Sequence, residues 1–321
     1  MSHQQHYAFV FPGQGSQSVG MLDAWASHPQ VKLTLEEASQ ALGEDLETLI
    51  KEGPKENLAL TTHTQPVMLA ADVAIYRAWI AEGGEPPVVV AGHSLGEYAA
   101  LVASGAMSLS QAIPLVRFRA QAMQDAVAVG TGAMAAILGM DAQEVTQICQ
   151  ELTQTQDAQE LVEAVNFNDP LQTVIAGHKA LVERACQVLK EKGAKRALPL
   201  PVSAPFHSTL MRPAANSLKE KLNSIELSVP LIPLINNVDV ASYSNSEKIK
   251  DALYRQAYMP VRWVECVQAL KSLGVSLVVE CGPGLVLSGL TKRIDPSLES
   301  ASLKDPQGVQ SLKDLLKTNA L

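Results

Sequence analysis

Short apolar runs alternate with longer stretches in which apolar residues recur every three or four positions, over most of the chain. The short runs predict strands and the spaced stretches predict amphipathic helices. Tyr7-Ala8-Phe9-Val10-Phe11 predicts an opening strand. Residues 31–50 and 66–81 predict helices, and Val88-Val89-Val90-Ala91 predicts a strand running into a helix at Glu97. Between Gly130 and Pro199 the pattern changes. Strands are predicted at 134–140, 161–167, 173–176 and 196–202, and helices at 141–152 and 180–192. That β-α-β-β-α-β order is the ferredoxin-like arrangement. Strands at 231–236 and 276–280 resume the earlier style, and a short, partly polar helix follows Ser302. The expected fold is α/β, with residues 130–199 as a compact insert in a main body of residues 1–129 and 200–321. A cleft is expected where the two meet.

A glycine-bounded serine sits at the second strand-to-helix junction, in Gly92-His93-Ser94-Leu95-Gly96. A sharp turn there thrusts the hydroxyl outward, and the glycines avoid collisions between Cβ and neighbouring backbone. Ser94 is thus a nucleophile candidate, while the plain alternative is a glycine-rich turn with an incidental serine. A serine hydroxyl needs a base. Of seven histidines, His3, His6 and His28 lie in polar surroundings, and His63 and His178 in turn-like contexts. His93 adjoins the serine, but strand alternation directs its side chain the other way. His207, in Ser203-Ala204-Pro205-Phe206-His207-Ser208 after a strand, is the best candidate base.

A helix through residues 114–127 would place Arg119 on its apolar face with Leu115, Ala122, Met123 and Ala126, and Arg117 on its polar face. Pro114 should kink this helix or occupy its first turn. A guanidinium directed at a core needs an anion to offset its burial. Arg119 is therefore either a fork for a substrate carboxylate or an internally paired or snorkelling arginine. Phe11-Pro12-Gly13-Gln14-Gly15-Ser16-Gln17 begins like a dinucleotide fingerprint, but its glycine spacing fails. It reads instead as a loop exposing the Gln14 amide, which with the Leu95 amide would form an oxyanion hole.

Composition narrows the field. The 321 residues are 47% hydrophobic and 18% charged, so a substantial core is affordable, and with 4% aromatics it must be mostly aliphatic. A net charge of −8 argues against non-specific nucleic-acid binding. An acidic partner would need a local basic patch, for which Lys190, Lys192, Lys195, Arg196, Lys292 and Arg293 are candidates. The four cysteines form no C-x-x-C pair, which argues against a metal site or disulfide framework and for a reducing compartment. Residues 1–6 show no signal-peptide pattern, and no apolar run approaches the roughly 20 residues of a membrane span. A cytoplasmic monomer without cofactor or metal is expected.

These segments together resemble the malonyl-CoA:acyl carrier protein transacylases of fatty acid synthesis and the related acyltransferase domains of polyketide synthases. The resemblance spans nearly the whole chain. Its marks are the loop 11–17, Gly92-His93-Ser94-Leu95-Gly96-Glu97-Tyr98, Arg119 with Met123, Gly132-Ala133-Met134-Ala135-Ala136 and Asn166-Phe167-Asn168. Val174-Ile175-Ala176-Gly177, Phe206-His207-Ser208, Gln256 and Glu280-Cys281-Gly282-Pro283-Gly284 complete it. It implies an α/β-hydrolase-like large subdomain with a ferredoxin-like small one. It also implies Ser94 as nucleophile, His207 as base, Arg119 as carboxylate clamp, and Gln14 and Leu95 as oxyanion donors. Gln256 falls at the position that helps orient the histidine, and Met123 and Asn166 at the substrate. Phe206 stands where many relatives have a small residue, and its bulk should crowd a 2-methyl branch. The implied substrates are malonyl-CoA and acyl carrier protein. A serine esterase or thioesterase with water as acceptor is the rival reading.

Overall fold

The computed structural model describes residues 6–154, 160–202 and 204–318. In chain order the strands are β1 Tyr7–Phe11, β2 Val89–Gly92, β3 Gly132–Leu138, β4 Val162–Asp169, β5 Gln172–His178, β6 Arg196–Pro199, β7 Leu234–Ile235, β8 Leu277–Glu280 and β9 Glu299–Ser302. The helices before the second sheet are α1 Pro29–Leu42, α2 Leu46–Glu52, α3 Lys55–Ala59, α4 Thr61–Ala81, α5 Gly96–Ala103 and α6 Leu109–Asp125. After them come α7 Ala142–Gln154, α8 Lys179–Glu191, α9 Arg212–Asn223, α10 Ser246–Gln256, α11 Trp263–Ser272, α12 Val286–Ile294 and α13 Pro306–Thr318. His3 and Ser203 lie outside the described residues.

Two sheets organise the chain, and their strands read differently. The first is all parallel, in the order β7-β2-β1-β8-β9. Its central strands are buried on both faces, hence the uninterrupted apolar runs. Phe9 and Phe11 enter a core with α4, where Phe9 packs edge-on against Trp79 and Tyr76. Ala8 and Val10 face the opposite layer with Trp263 and Val267 of α11. The second sheet is antiparallel, in the order β4-β5-β3-β6. With α7 and α8 on one face it is ferredoxin-like, as expected. The molecule is thus α/β, combining a parallel-sheet body with a separate antiparallel sheet.

Order in the parallel sheet reverses at β1: β2 and then β7 are added on one side, β8 and then β9 on the other. Sites in such sheets form beyond the carboxyl ends of the strands at this reversal. Pro12 to Gln14, Ser94, and Asn236 with Asn237 all follow such strand ends. The free face of the antiparallel sheet, with Met134 and Val174, joins the main core beside them. Val261 ties the two parts together, accepting from the Phe167 amide at 3.0 Å and donating to the Val165 carbonyl at 2.9 Å.

Several elements depart from expectation. The predicted helix 31–50 is two helices, because Gly43 takes a left-handed conformation (φ 73°) that closes α1, and Asp45 then caps α2 by accepting from the Thr48 amide at 2.9 Å. Helix α6 begins at Leu109 rather than near Pro114. A capping box at Ser108 and Gln111 starts it, which puts Pro114 in the second turn. Helices α9 to α12 and edge strand β9 were not anticipated. Among the described residues, no helix is long and apolar enough to cross a membrane.

Candidate active site

The turn between β2 and α5 is held by close backbone contact. A Cβ on Gly92 would lie 1.9 Å from the Gly96 carbonyl carbon, and one on Gly96 would lie 2.0 Å from the Phe11 carbonyl oxygen. Only glycine fits either position. The turn leaves Ser94 at φ 52°, in the left-handed region that a residue with a side chain rarely enters. Asn237 Oδ1 accepts from the Ser94 amide at 2.8 Å, while Asn237 Nδ2 donates to the Gly92 carbonyl at 2.8 Å. The loop after β1 packs directly on this turn, since a Cβ at Gly13 would sit 2.6 Å from the His93 carbonyl oxygen and 3.7 Å from the Leu95 amide nitrogen. Among the described residues nothing accepts a hydrogen bond from the Gln14 or Leu95 amide.

His207 also has positive φ, 63°. Its loop is pinned to β4, where Glu163 accepts from the Thr209 amide at 2.7 Å. His207 Nδ1 lies 2.8 Å from the Gln256 main-chain oxygen, a pure acceptor, so Nδ1 carries the proton. Nε2 is then the acceptor, and the Ser94 hydroxyl donates to it at 2.7 Å. Burial first, and then the charge of Arg119, pull the imidazole down to about 3. It is neutral at ordinary pH. The expected contact between Gln256 and the histidine therefore runs through the main chain. The Gln256 side chain is committed elsewhere.

Arg119 is 1% exposed, on the buried face of α6. It donates to Gln65 Oε1 at 2.8 Å, to Gln256 Oε1 at 3.0 Å and to Ser94 Oγ at 3.3 Å. Its guanidinium carbon lies 5.4 Å from the centre of the Tyr98 ring. Burial lowers its pKa, opposed by Tyr98 and Glu97. Among the described residues no carboxylate lies within ion-pair distance of it. Arg117, by contrast, grips Glu44 with both terminal nitrogens at 2.7 and 2.6 Å. The division of the helix into two faces matches the sequence pattern.

Glu97, 2% exposed, accepts at Oε2 from Gln256 Nε2 and from the Asn237 amide, each at 3.0 Å. Burial pushes its carboxyl up to about 7, against the pull of those hydrogen bonds and of Arg119.

These groups meet at a cavity of about 180 Å³ lined by Gln14, Ser94, Arg119, Met123, Asn166, Phe206 and His207. Met134, Val174, Leu200 and Val202 form its apolar remainder. A second cavity of about 530 Å³ borders His207 with Phe167, Thr209, Arg212 and Met259. His93 does not hydrogen-bond to the Ser94 hydroxyl. It lines the first cavity, with Nε2 2.8 Å from Asn168 Oδ1 and its ring edge-on to Trp263. Its ring nonetheless lies in the layer of Val89 and Ala91 with Trp263, the side that strand alternation predicts, while the Ser94 hydroxyl turns to His207. Of the basic patch candidates, Arg293 is paired with Asp169 at 2.6 Å and Lys192 with Glu151 at 3.7 Å.

Sequence reasoning missed Asn237, Gln65 and Asn168 as neighbours of the site, and the buried contacts of Glu97. The signals were faint: two asparagines directly after a strand end, and polar residues inside the apolar helices α4 and α5.

The geometry agrees with the comparisons. An acyl transferase domain model matches residues 8–302. The malonyl CoA-acyl carrier protein transacylase of Escherichia coli K12 is 50% identical over 310 residues, covering 96% of this chain and 99% of that protein. The crystal structure of an acyl-carrier-protein S-malonyltransferase from Burkholderia pseudomallei 1710b is 59% identical and superposes with a TM-score of 0.94, covering 98% of this chain and 100% of that one. A malonyl-transacylase solved in complex with a type II polyketide synthase acyl-carrier protein is 48% identical, with a TM-score of 0.94 over 97% of this chain and 100% of that one. A serine bent into strained backbone against a histidine, with matches over nearly the full length, leaves one assignment: this chain belongs to the acyl transferase domain family.

Proposed function

We propose that this chain takes a malonyl group from coenzyme A as an ester on Ser94 and hands it to the phosphopantetheine thiol of acyl carrier protein, in fatty acid or polyketide synthesis. The observation that carries the reading is Arg119: a buried guanidinium that, among the described residues, hydrogen-bonds to neutral oxygens alone, 3.3 Å from the Ser94 hydroxyl. Leaving such a charge without an anion is costly, and a substrate carboxylate supplies one. The 180 Å³ cavity that Arg119 and Ser94 both line is the space a malonyl group would enter.

In the first half-reaction His207 Nε2 takes the Ser94 proton as Oγ attacks the thioester carbonyl. The Gln14 and Leu95 amides receive the oxyanion. As the tetrahedral adduct collapses, the carbon–sulfur bond breaks and His207 returns the proton to the departing thiol. In the second, His207 deprotonates the incoming thiol and the same steps run backwards. The thiol arm reaches His207 through the larger cavity. Arg119 depresses His207, so a carboxylate neutralising the guanidinium raises the imidazole's basicity when the right acyl group is bound. Met123, Asn166 and Phe206 shape the acyl cavity, and Gln256 holds both His207 and Arg119.

The organisation proposed with this function is a catalytic body of residues 1–129 and 200–321 and a small subdomain of residues 130–199, supported by the second sheet's strands all lying between Gly132 and Pro199. The four free cysteines support a cytoplasmic setting.

Intact mass after mixing with malonyl-CoA or acetyl-CoA tests the reading. A malonyl adduct is expected with malonyl-CoA and only a weak acetyl adduct with acetyl-CoA; both should be absent in Ser94→Ala, and the malonyl ester should be discharged by holo acyl carrier protein faster than by water. Release of free malonate with no transfer would make the chain a thioesterase.

A further inference from the structure

Glu97 has no role in the steps above, yet two residues that brace the serine converge on one of its oxygens. Gln256 Nε2 and the Asn237 amide both donate to Glu97 Oε2 at 3.0 Å. Each also reaches Ser94: Gln256 Nε2 donates to the Ser94 carbonyl at 2.9 Å, and Asn237 Oδ1 accepts from the Ser94 amide at 2.8 Å. The two ends of a glutamine amide are nearly isosteric, one donating and one accepting. Arg119 can only donate, so it requires the oxygen end of Gln256. A flipped amide would set N–H against N–H. Glu97 Oε2 and the Ser94 carbonyl together hold the nitrogen end away from Arg119, and Glu97 is the side chain of the two. An oxygen receiving two N–H donors is the poorer place for a proton. Any proton on this carboxyl therefore favours the other oxygen, and the acceptor facing Gln256 is present in either ionisation state.

We infer that Glu97 is a positioning residue for acylation of Ser94: it fixes the Gln256 amide with its oxygen toward Arg119 and so keeps the guanidinium aimed at the space beside the serine hydroxyl. The inference rests on the transfer reading above. Its particular consequence concerns selectivity rather than rate, because a misdirected Arg119 harms capture of a carboxylate more than capture of an acetyl group.

The test compares pre-steady-state acylation by malonyl-CoA and acetyl-CoA in the wild type, Glu97→Ala, Glu97→Gln, Arg119→Ala and the Glu97→Ala/Arg119→Ala double variant. Glu97→Ala should lower the malonyl-to-acetyl ratio about tenfold, while Glu97→Gln, which keeps an acceptor oxygen, stays within about threefold of wild type. In the Arg119→Ala background, Glu97→Ala should leave the ratio where it is. Equal slowing of both acyl groups in Glu97→Ala would overturn the inference, as would Glu97→Gln falling as far as Glu97→Ala. Should Glu97→Ala not fold, Glu97→Asp draws the acceptor back by one methylene, and an unchanged ratio there is equally fatal. A wild type that takes up no malonyl group defeats the transfer reading itself. A wild type that is acylated, with the ratio intact in the variants, defeats only the role of Glu97.

Discussion

The two faces of α6 carry arginines two residues apart in opposite circumstances. Arg117 grips Glu44 with both terminal nitrogens at the surface, where water shares the charges. Arg119 is 1% exposed and bound by the amide oxygens of Gln65 and Gln256, with the Ser94 hydroxyl beyond. The outer pair is closed, each charge having its complement. The inner guanidinium is held in place by groups that direct it without neutralising it. Neutral acceptors around a buried cation leave its charge available to a ligand, whereas a carboxylate would compete with one.

The largest effect expected from this contrast is loss of malonyl capture in Arg119→Ala. Removing one partner of a desolvated charge pair costs about 2–5 kcal/mol, roughly 30- to 4,000-fold in acylation by malonyl-CoA. Acetylation should fall far less. Arg119→Lys should restore only part of the loss, because an ammonium lacks the planar fork. Quenched-flow acylation with both thioesters measures this. Equal losses for the two acyl groups would show that Arg119 serves the serine and not the carboxylate.

A second consequence concerns His207, which burial first and then Arg119 hold down to about 3. A cation disfavours a second positive charge, so removing it must raise the imidazole pKa. NMR titration of the His207 ring should therefore show protonation at higher pH in Arg119→Ala than in the wild type. In Arg117→Ala the titration should not move. A rise in both variants would mean that the two faces are not electrically separate.

This contrast was legible in the sequence because helical spacing is local: positions 117 and 119 fall on different faces wherever the helix packs. The turn around Ser94 was legible for the same reason, with strand, glycines and helix contiguous. The surroundings were not. Asn237 reaches Ser94 across 143 residues, and Gln65 reaches Arg119 across 54, distances that no local pattern encodes. Alternation placed His93 on the side of Val89 and Ala91, against Trp263, but gave no sign of its bond to Asn168 75 residues away. The break at Gly43 was signalled by a glycine followed by a capping aspartate, but the apolar spacing on either side continued through it. Strand β9 has the sequence Glu-Ser-Ala-Ser and owes its existence to the neighbouring edge of β8, not to its own side chains.

Shape gives a smaller effect than charge. Phe206 lines the 180 Å³ cavity together with Arg119 and is 7% exposed. Phe206→Ser should raise acylation by methylmalonyl-CoA relative to malonyl-CoA about tenfold, the low end of what one carbon is worth in an apolar pocket. Arg119 should be needed for both substrates, since both carry the carboxylate. Competition between the two thioesters, read by adduct mass, measures the change. If the ratio stays fixed, another wall of the cavity excludes the branch.

The smallest effect is expected at Arg117, and it makes the comparison exact in kind if not in size. Its pair with Glu44 joins α6 to the turn between α1 and α2, with both side chains partly exposed. Such pairs contribute about 0.2–1 kcal/mol, because hydration of the separated charges nearly matches their attraction. Arg117→Ala should therefore lower the denaturation midpoint slightly, and Glu44→Ala by a similar amount. The double variant should lose no more than either alone, since the first substitution has already removed the interaction. High salt should shrink the effect further. Acylation by malonyl-CoA should remain at the wild-type rate. A rate lost along with this surface pair would mean that the outer arginine helps to set the inner one, and that neutral acceptors alone do not hold the buried guanidinium in register.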